Sequence, residues 1–156
     1  MLRHPALHRL SREHSPALTL ARRLLMANDT ASAAVAQRTL VTWLPALLAH
    51  FRAEEQILLP RMRAAGLTDA VTRLLAEHHA LREQLAAIPH ADIPTDHAES
   101  LTRWQQAGAL LRAHVQFEER ELFPQLEQRL DANAMAVIAD ALAAAEPALA
   151  SSAKAV

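Results

Sequence analysis

The chain has 156 residues, a net charge of −1 and a half-hydrophobic composition dominated by Ala and Leu. Balanced, interspersed charge argues against a nucleic-acid-binding tail or a membrane-steering patch. MLRHPALHRLSREH holds no apolar core of signal-peptide length, and no stretch approaches the ~18 uncharged apolar residues of a membrane span, so a soluble cytoplasmic protein is expected. The absence of Cys removes disulfides, thiolate nucleophiles, Fe–S clusters and Cys-based zinc sites together. Any metal must therefore be held by imidazole and carboxylate, for which nine His are available.

The length suits one domain over residues 1–156. With few aromatics, no Tyr and only two Gly, the composition favours helix over strand. The first helix starts at Leu7 or at Ser15, depending on how Pro16 is accommodated, and ends at Met26 before the polar ANDT. The second spans about Ser32 to Ala65, with Pro45 expected to kink it and Gly66 to stop it. A third runs from Asp69 to Ile88, opened by Thr68 and closed by Pro89. After the linker 89–95, Asp96 and Glu99 form a candidate capping box for a fourth helix reaching Leu130. A short fifth helix falls within 131–147, and residues 148–156 read as a frayed tail.

The segment HFRAEEQILLP (50–60) reappears as HVQFEERELFP (114–124), both spelling H-x-x-x-E-E-x-x-L-x-P. A gapless shift of 64 residues also lays Leu10, Glu13 and His14 on Leu74, Glu77 and His78, and Leu47 on Leu111. The chain is thus a helical hairpin written twice. One hairpin cannot cover its own apolar stripes, but two together make an all-α, up-down-up-down four-helix bundle.

Each helix of that bundle points one His inward. On the third, Val71, Leu74, Leu81, Leu85 and Ile88 form an apolar ladder whose missing rung is His78, while His79 falls on the solvated side. Leu7, Leu10, Leu18, Ala21 and Leu25 flank His14 in the same manner. Trp43, Leu47, His50, Glu54 and Ile57 line one stripe of the second helix, and Leu110, Leu111, His114, Glu118 and Leu122 one stripe of the fourth. His and Glu four residues apart share a face about one turn (~5–6 Å) from each other and can hold the same ion or adjacent ions.

A single His on an apolar face is ordinarily a satisfied core residue. Four His and two Glu related by one shift are a different matter, because two buried carboxylates without a cation cost several kcal/mol. Four nitrogens and two carboxylates suit a carboxylate-bridged pair of first-row ions, with iron leading and manganese or zinc possible. A single structural zinc would leave two acids idle. The Glu-x-x-His pairs of ferritin-like proteins and the HExxH of zincins are both absent.

The order His14, His50-x-x-x-Glu54, Glu77-His78, His114-x-x-x-Glu118 resembles the hemerythrin-like, or HHE cation-binding, domain family over residues 7–130. The resemblance implies a non-haem di-iron centre: His14 and His50 on one iron, His78 and His114 on the other, with Glu54, Glu118 and a solvent-derived oxygen bridging. The chain departs from the oxygen carriers of that family, which place a further His one turn before the third-helix ligand and end in His-x-x-x-x-Asp. Leu74 occupies that turn here, its repeat mate is Leu10, and the last motif is His-x-x-x-Glu. About five ligands per iron would leave a position open on both ions. That shifts weight from carriage toward sensing oxygen, peroxide or nitric oxide, or toward redox-linked iron handling.

Two classes of function follow. The first is a binding protein for oxygen or a related small molecule, with Leu10, Leu47, Leu74, Leu111, Phe51 and Phe117 as a dry approach. The second is a di-iron enzyme acting on peroxide or oxidising iron; it ranks lower because no side chain apart from the ligands is an obvious general base. Iron–sulfur repair lacks the cysteines it would need, and a signalling role would need a partner protein. Glu55 and Glu119 lie about 140° around from the ligand His, taking ~100° per residue, where contact with the ligands or a surface ion pair are both open and the surface pair is favoured. His4 and His8 are not expected to form a second metal site, and His90 and His97 are expected to be solvated.

Overall fold

The computed structural model describes residues 2–94 and 98–145. Among these, the elements are α1 (His8–Leu25), α2 (Thr30–Ala53), α3 (Leu59–Ala64), α4 (Thr68–Ala87), α5 (Ala98–Phe117), α6 (Phe123–Arg129) and α7 (Ala132–Ala144). A 3₁₀ turn, Pro5–Leu7, leads into α1. A π-turn, Glu54–Leu58, joins α2 to α3, and a second, Glu118–Leu122, joins α5 to α6. The long rods are therefore α1, α2 with α3, α4, and α5 with α6, and together they form the four-helix bundle that the repeat implies. Among the described residues no helix is long and apolar enough to cross a membrane.

The boundaries follow local chemistry. Pro16 lies inside α1, so the helix begins near Leu7 and not at Ser15. Asp29 opens α2 through a reciprocal capping box with Ser32, a signal present in the sequence as D-T-A-S. Pro45 sits within α2, which continues as regular helix on both sides of it. Gly66 stops α3 at φ +71°, with Leu67 N–H reaching Met62 O at 2.9 Å and Gly66 N–H reaching Arg63 O at 3.1 Å, the paired bonds of a Schellman end. Thr68 does not cap α4: the residue before the helix is Leu67, which makes no side-chain cap bond. Asp131 caps α7 through Ala134 N–H. Asp96 and His97, and the tail 148–156, lie outside the described residues.

The two π-turns explain the proline of the repeated motif. Pro60 and Pro124 have no N–H to give, and their rings crowd the carbonyl four residues back. The helix answers by widening one turn, so Leu59 N–H bonds Glu54 O and Phe123 N–H bonds Glu118 O, five residues back in each case. The first residue of each widened turn is the inward-facing Glu.

Two apolar clusters fill the bundle. One contains Leu7, Leu10, Leu58, Met62, Leu74, Leu122, Phe123 and the buried face of α7. The other contains Ala17, Leu20, Leu24, Leu40, Phe51, Leu81, Leu85, Trp104 and Leu111. In α1 and α4 the switch from one to the other falls at His14, between Leu10 and Ala17, and at His78, between Leu74 and Leu81. On α1 the ladder is phased differently from the expected one: Leu20 and Leu24 are buried, Leu18 is 39% exposed and Leu25 is half-buried. The face steps through 14, 17, 21 and 24 because it points at the closely packed α5.

That close packing needs Gly108. A Cβ built there would stand 2.7 Å from Ala21 O, 2.8 Å from Leu24 Cβ and 2.9 Å from Leu25 N, two of them backbone atoms that cannot swing aside. Gly108→Ala should therefore force α1 and α5 apart, and urea denaturation should show a loss of about 1–3 kcal/mol, the usual cost of overpacking.

Candidate metal centre

His14, His50, Glu54, His78, His114 and Glu118 converge between the two apolar clusters, all at most 4% exposed and both Glu fully buried. Two overlapping groups form, His14–His50–Glu54–Glu118 and Glu54–His78–His114–Glu118, with one ligand-type atom from each residue and all of these atoms within 4.8 Å of one another. The carboxylates belong to both groups because their oxygens diverge. Glu54 Oε1 faces His50 Nε2 at 3.2 Å and its Oε2 faces His78 Nε2 at 3.2 Å. Glu118 Oε2 faces His14 Nε2 at 2.9 Å and its Oε1 faces His114 Nε2 at 3.2 Å.

None of these inward atoms has a hydrogen-bond partner: the four Nε2 atoms and all four carboxylate oxygens are buried and unsatisfied. Orphaned buried polar atoms are expensive, and eight in one place call for a common partner. For bonds of about 2.1 Å, donors at right angles around one ion stand about 3.0 Å apart, which matches the observed spacing. The donor set of imidazole and carboxylate, without sulfur, suits a first-row divalent cation. The residues present fit a metal cation.

A family model, the hemerythrin HHE cation-binding domain, matches residues 6–126. The chain belongs to the hemerythrin HHE cation-binding family. No curated protein and no solved structure matches it.

The outer nitrogens of this hemerythrin-family site are held as systematically as the inner ones are left free. His50 Nδ1 meets Glu13 at 2.8 Å, His78 Nδ1 meets Glu55 at 2.7 Å, His114 Nδ1 meets Glu77 at 2.8 Å, and His14 Nδ1 meets Glu119 at 2.6 Å. A carboxylate only accepts, so each Nδ1 carries a proton and donates, which makes the inward Nε2 the nitrogen that would hold a metal once its own proton is lost. Each bond also crosses to the next rod. Glu13 of α1 takes His50 of α2, Glu55 takes His78 of α4, Glu77 of α4 takes His114 of α5, and Glu119 takes His14 of α1, closing a ring around the bundle.

Glu55 and Glu119 are thus not surface pairs, contrary to the expectation from their angle on the helix. That angle points them along the flank of their own rod, and in a bundle the flank faces a neighbouring rod. The sequence pairs Glu13 with Glu77 under the repeat, but offers no sign that these acids serve the next helix. An Arg one turn earlier, Arg9 and Arg73, is the nearest available signal. Arg9 Nε donates to Glu13 at 3.0 Å and Arg73 Nε to Glu77 at 2.7 Å. Arg82 holds Glu55 at 2.7 Å and Arg3 holds Glu119 at 2.8 Å. Arg9 also donates to Leu142 O and to Ala145 O, so the end of α7 is tied into the same chain of bonds. Outside the ring, His79 and His90 are exposed, and His4 and His8 bond the backbone at Ala6 N–H and Arg3 O.

The charges of the cluster depend on each other. Burial opposes a proton on His50, but Glu54, Glu13 and Glu118 outweigh it and hold the imidazole well above its ordinary 6.5. Burial is likewise overcome at His14 by Glu118 and Glu119, and at His114 by Glu118, Glu77 and Glu54, which raise it to about 10. Burial pushes Glu118 up, yet His114 and His14 bring it well below the carboxylate range. Glu119 falls to about 2 against its own burial, through His14, Ser11 and Arg3. Without metal, imidazole protons are thus the counter-charge to the acids.

Two predictions follow from this linkage. Raised His values stabilise the metal-free fold fully below pH 6.5, and that stabilisation is lost as pH climbs through the folded values, to about 10 for His114. Lowered Glu values stabilise it above pH 4.5, with the loss coming as pH falls toward about 2, where Glu119 titrates. Chelator-treated protein should therefore lose Tm between pH 6.5 and 10, whereas metal-loaded protein should gain, since deprotonated imidazoles coordinate. Parallel slopes for the two forms would contradict the assignment. Separately, Glu77→Ala and Glu13→Ala should each weaken metal binding about 10–100-fold by freeing His114 or His50 to reorient, measurable by chelator competition.

Proposed function

We propose that this hemerythrin-family chain holds two iron ions, His14 with His50 on one and His78 with His114 on the other, bridged by Glu54 and Glu118, and that it binds or senses oxygen, peroxide or nitric oxide there. The divergence of each buried carboxylate toward one oxygen per His pair carries the reading, because a single ion would use only half of that arrangement. Bound iron supplies the Lewis acidity and one-electron chemistry that such small molecules require.

Two of the site's His residues, His50 and His14, border space outside the cluster. A narrow, largely apolar cavity of about 10 Å³ abuts His50, lined by Pro16, Ala17, Leu20, Trp43, Ala46 and Leu47, with Glu13 at its polar end. Space of that order holds roughly one water-sized molecule, which suits a small ligand at that side of the site. A roomier groove of about 370 Å³ beside Ile88, Pro94 and Trp104 contains none of the cluster residues, whereas an open groove of about 550 Å³ is lined by His14 and Glu119. Every Nδ1 of the site is engaged by a carboxylate, so no imidazole is left as a general base, which favours binding over turnover.

The test is metal analysis followed by spectroscopy. Protein loaded anaerobically with ferrous iron should contain two ions per chain and develop near-ultraviolet charge-transfer absorption on exposure to oxygen, peroxide or nitric oxide. Glu54→Ala should lose at least one ion and that absorption. One ion per chain in the unmodified protein, or an unchanged spectrum with all three ligands, would end the proposal.

A further inference from the structure

The four His–Glu–Arg chains are not built alike. Three of their Arg residues stand on helices: Arg9 on α1, and Arg73 and Arg82 on α4. The fourth, Arg3, comes from the segment ahead of the 3₁₀ turn, outside the span matched by the family. Arg9 and Arg73 are repeat mates, as are Glu55 and Glu119, but Arg82 and Arg3 are not. The repeat shift carries Arg82 back to Leu18 and leaves Arg3 opposite Leu67.

Yet the two unrelated Arg residues do the same thing. Arg82 bonds Glu55 and lies 5.7 Å from the centroid of Phe51, whose ring stacks on His78 at 4.3 Å. Arg3 bonds Glu119 and lies 5.0 Å from the centroid of Phe123, whose ring stacks on His14 at 5.6 Å. Each Arg grips its imidazole twice, through the acid on Nδ1 and through an aromatic ring on the imidazole face. Two stretches of sequence that the repeat does not relate thus arrive at one construction, at His78 and at His14.

The Arg3 arm is also fastened at several points. Its guanidinium donates to Glu119 O at 2.6 Å and Glu127 Oε1 at 3.1 Å, His4 N–H donates to Glu127 Oε1 at 2.8 Å, and His8 Nε2 meets Arg3 O at 2.8 Å. Leu2 beside it is 97% exposed, so these polar bonds, not burial of the segment's neighbouring side chain, hold it in place.

We propose that Arg3 is a positioning residue for His14, so that one half of the metal pair depends on a strap of chain ahead of α1 while the other half is fixed within the bundle by Arg82. The inference rests on the paired-metal reading for its metal readout but not for its structural one. In chelator-treated protein, Arg3→Ala should move the His14 Nδ1–H signal in nitrogen-15 spectra and speed its exchange with water, leaving His78 as it was. Arg82→Ala should do the reverse. Arg3→Lys, which keeps the charge and loses the fork, should restore the signal only in part.

In protein loaded with ferrous iron, a chelator should then remove one of two ions about tenfold faster from Arg3→Ala, with the other released at the unmodified rate. A purely structural role would speed both ions equally or lower the melting temperature of the metal-free fold without singling out His14. Either of those results, or an unmoved His14 signal, overturns the proposal. If the unmodified protein takes up fewer than two ions, the paired-metal reading fails by itself, and the His14 signal in metal-free protein still decides for or against the strap.

Discussion

Two carboxylates that water cannot reach govern this structure. Glu54 and Glu118 are fully buried, Glu118 stands close enough to oppose ionisation of Glu54, and their oxygens face the inward imidazole nitrogens. A buried charge left uncompensated costs several kcal/mol, a large part of the net stability of a domain this size. Every unusual feature nearby reduces that cost. His14, His50 and His114 supply protons, all four imidazoles can instead face cations, the outer acids orient the imidazoles, and the arginines hold the outer acids.

The ring of crossing bonds also explains how a polar layer can sit in the middle of a bundle without loosening it. Each rod contributes a His to the centre and a Glu to the next rod's His, so the polar groups join helices that would otherwise be held there by apolar contact alone. The apolar clusters on either side keep water out, which strengthens each of these electrostatic contacts. Gly108 makes the ring possible on one side by letting α5 lie against α1 closely enough for Glu119 to reach His14 at 2.6 Å.

Much of this was legible in the sequence. The doubled H-x-x-x-E-E-x-x-L-x-P fixed the register of two rods, the gap in the Leu ladder revealed His78, and the gapless repeat supplied His14. What could not be read is what depends on neighbouring helices. The roles of Glu13, Glu55, Glu77 and Glu119 arise across rod interfaces, where angle on a single helix carries no information about the partner. The phase of α1 was missed by one step because Leu18 and Leu20 are equally apolar and only the packing of α5 chooses between them. The π-turns escaped because Pro60 and Pro124 fall inside spans whose pattern continues as helix on both sides, while the structure absorbs each proline by a single wider turn.

Those widened turns connect the backbone to the chemistry. A π-turn lengthens the repeat by one residue, and it does so immediately where the chain must place an acid inward and a second acid on the flank. Glu54 and Glu118 open the turn and face the centre; Glu55 and Glu119 follow and face the adjoining rod. Leu58 and Leu122, at the far end, return to the core with no exposure. The proline two residues later removes an N–H that the wider turn has no use for. The motif is therefore one device written twice, in which the backbone irregularity caused by the last residue sets the directions of the two acids before it.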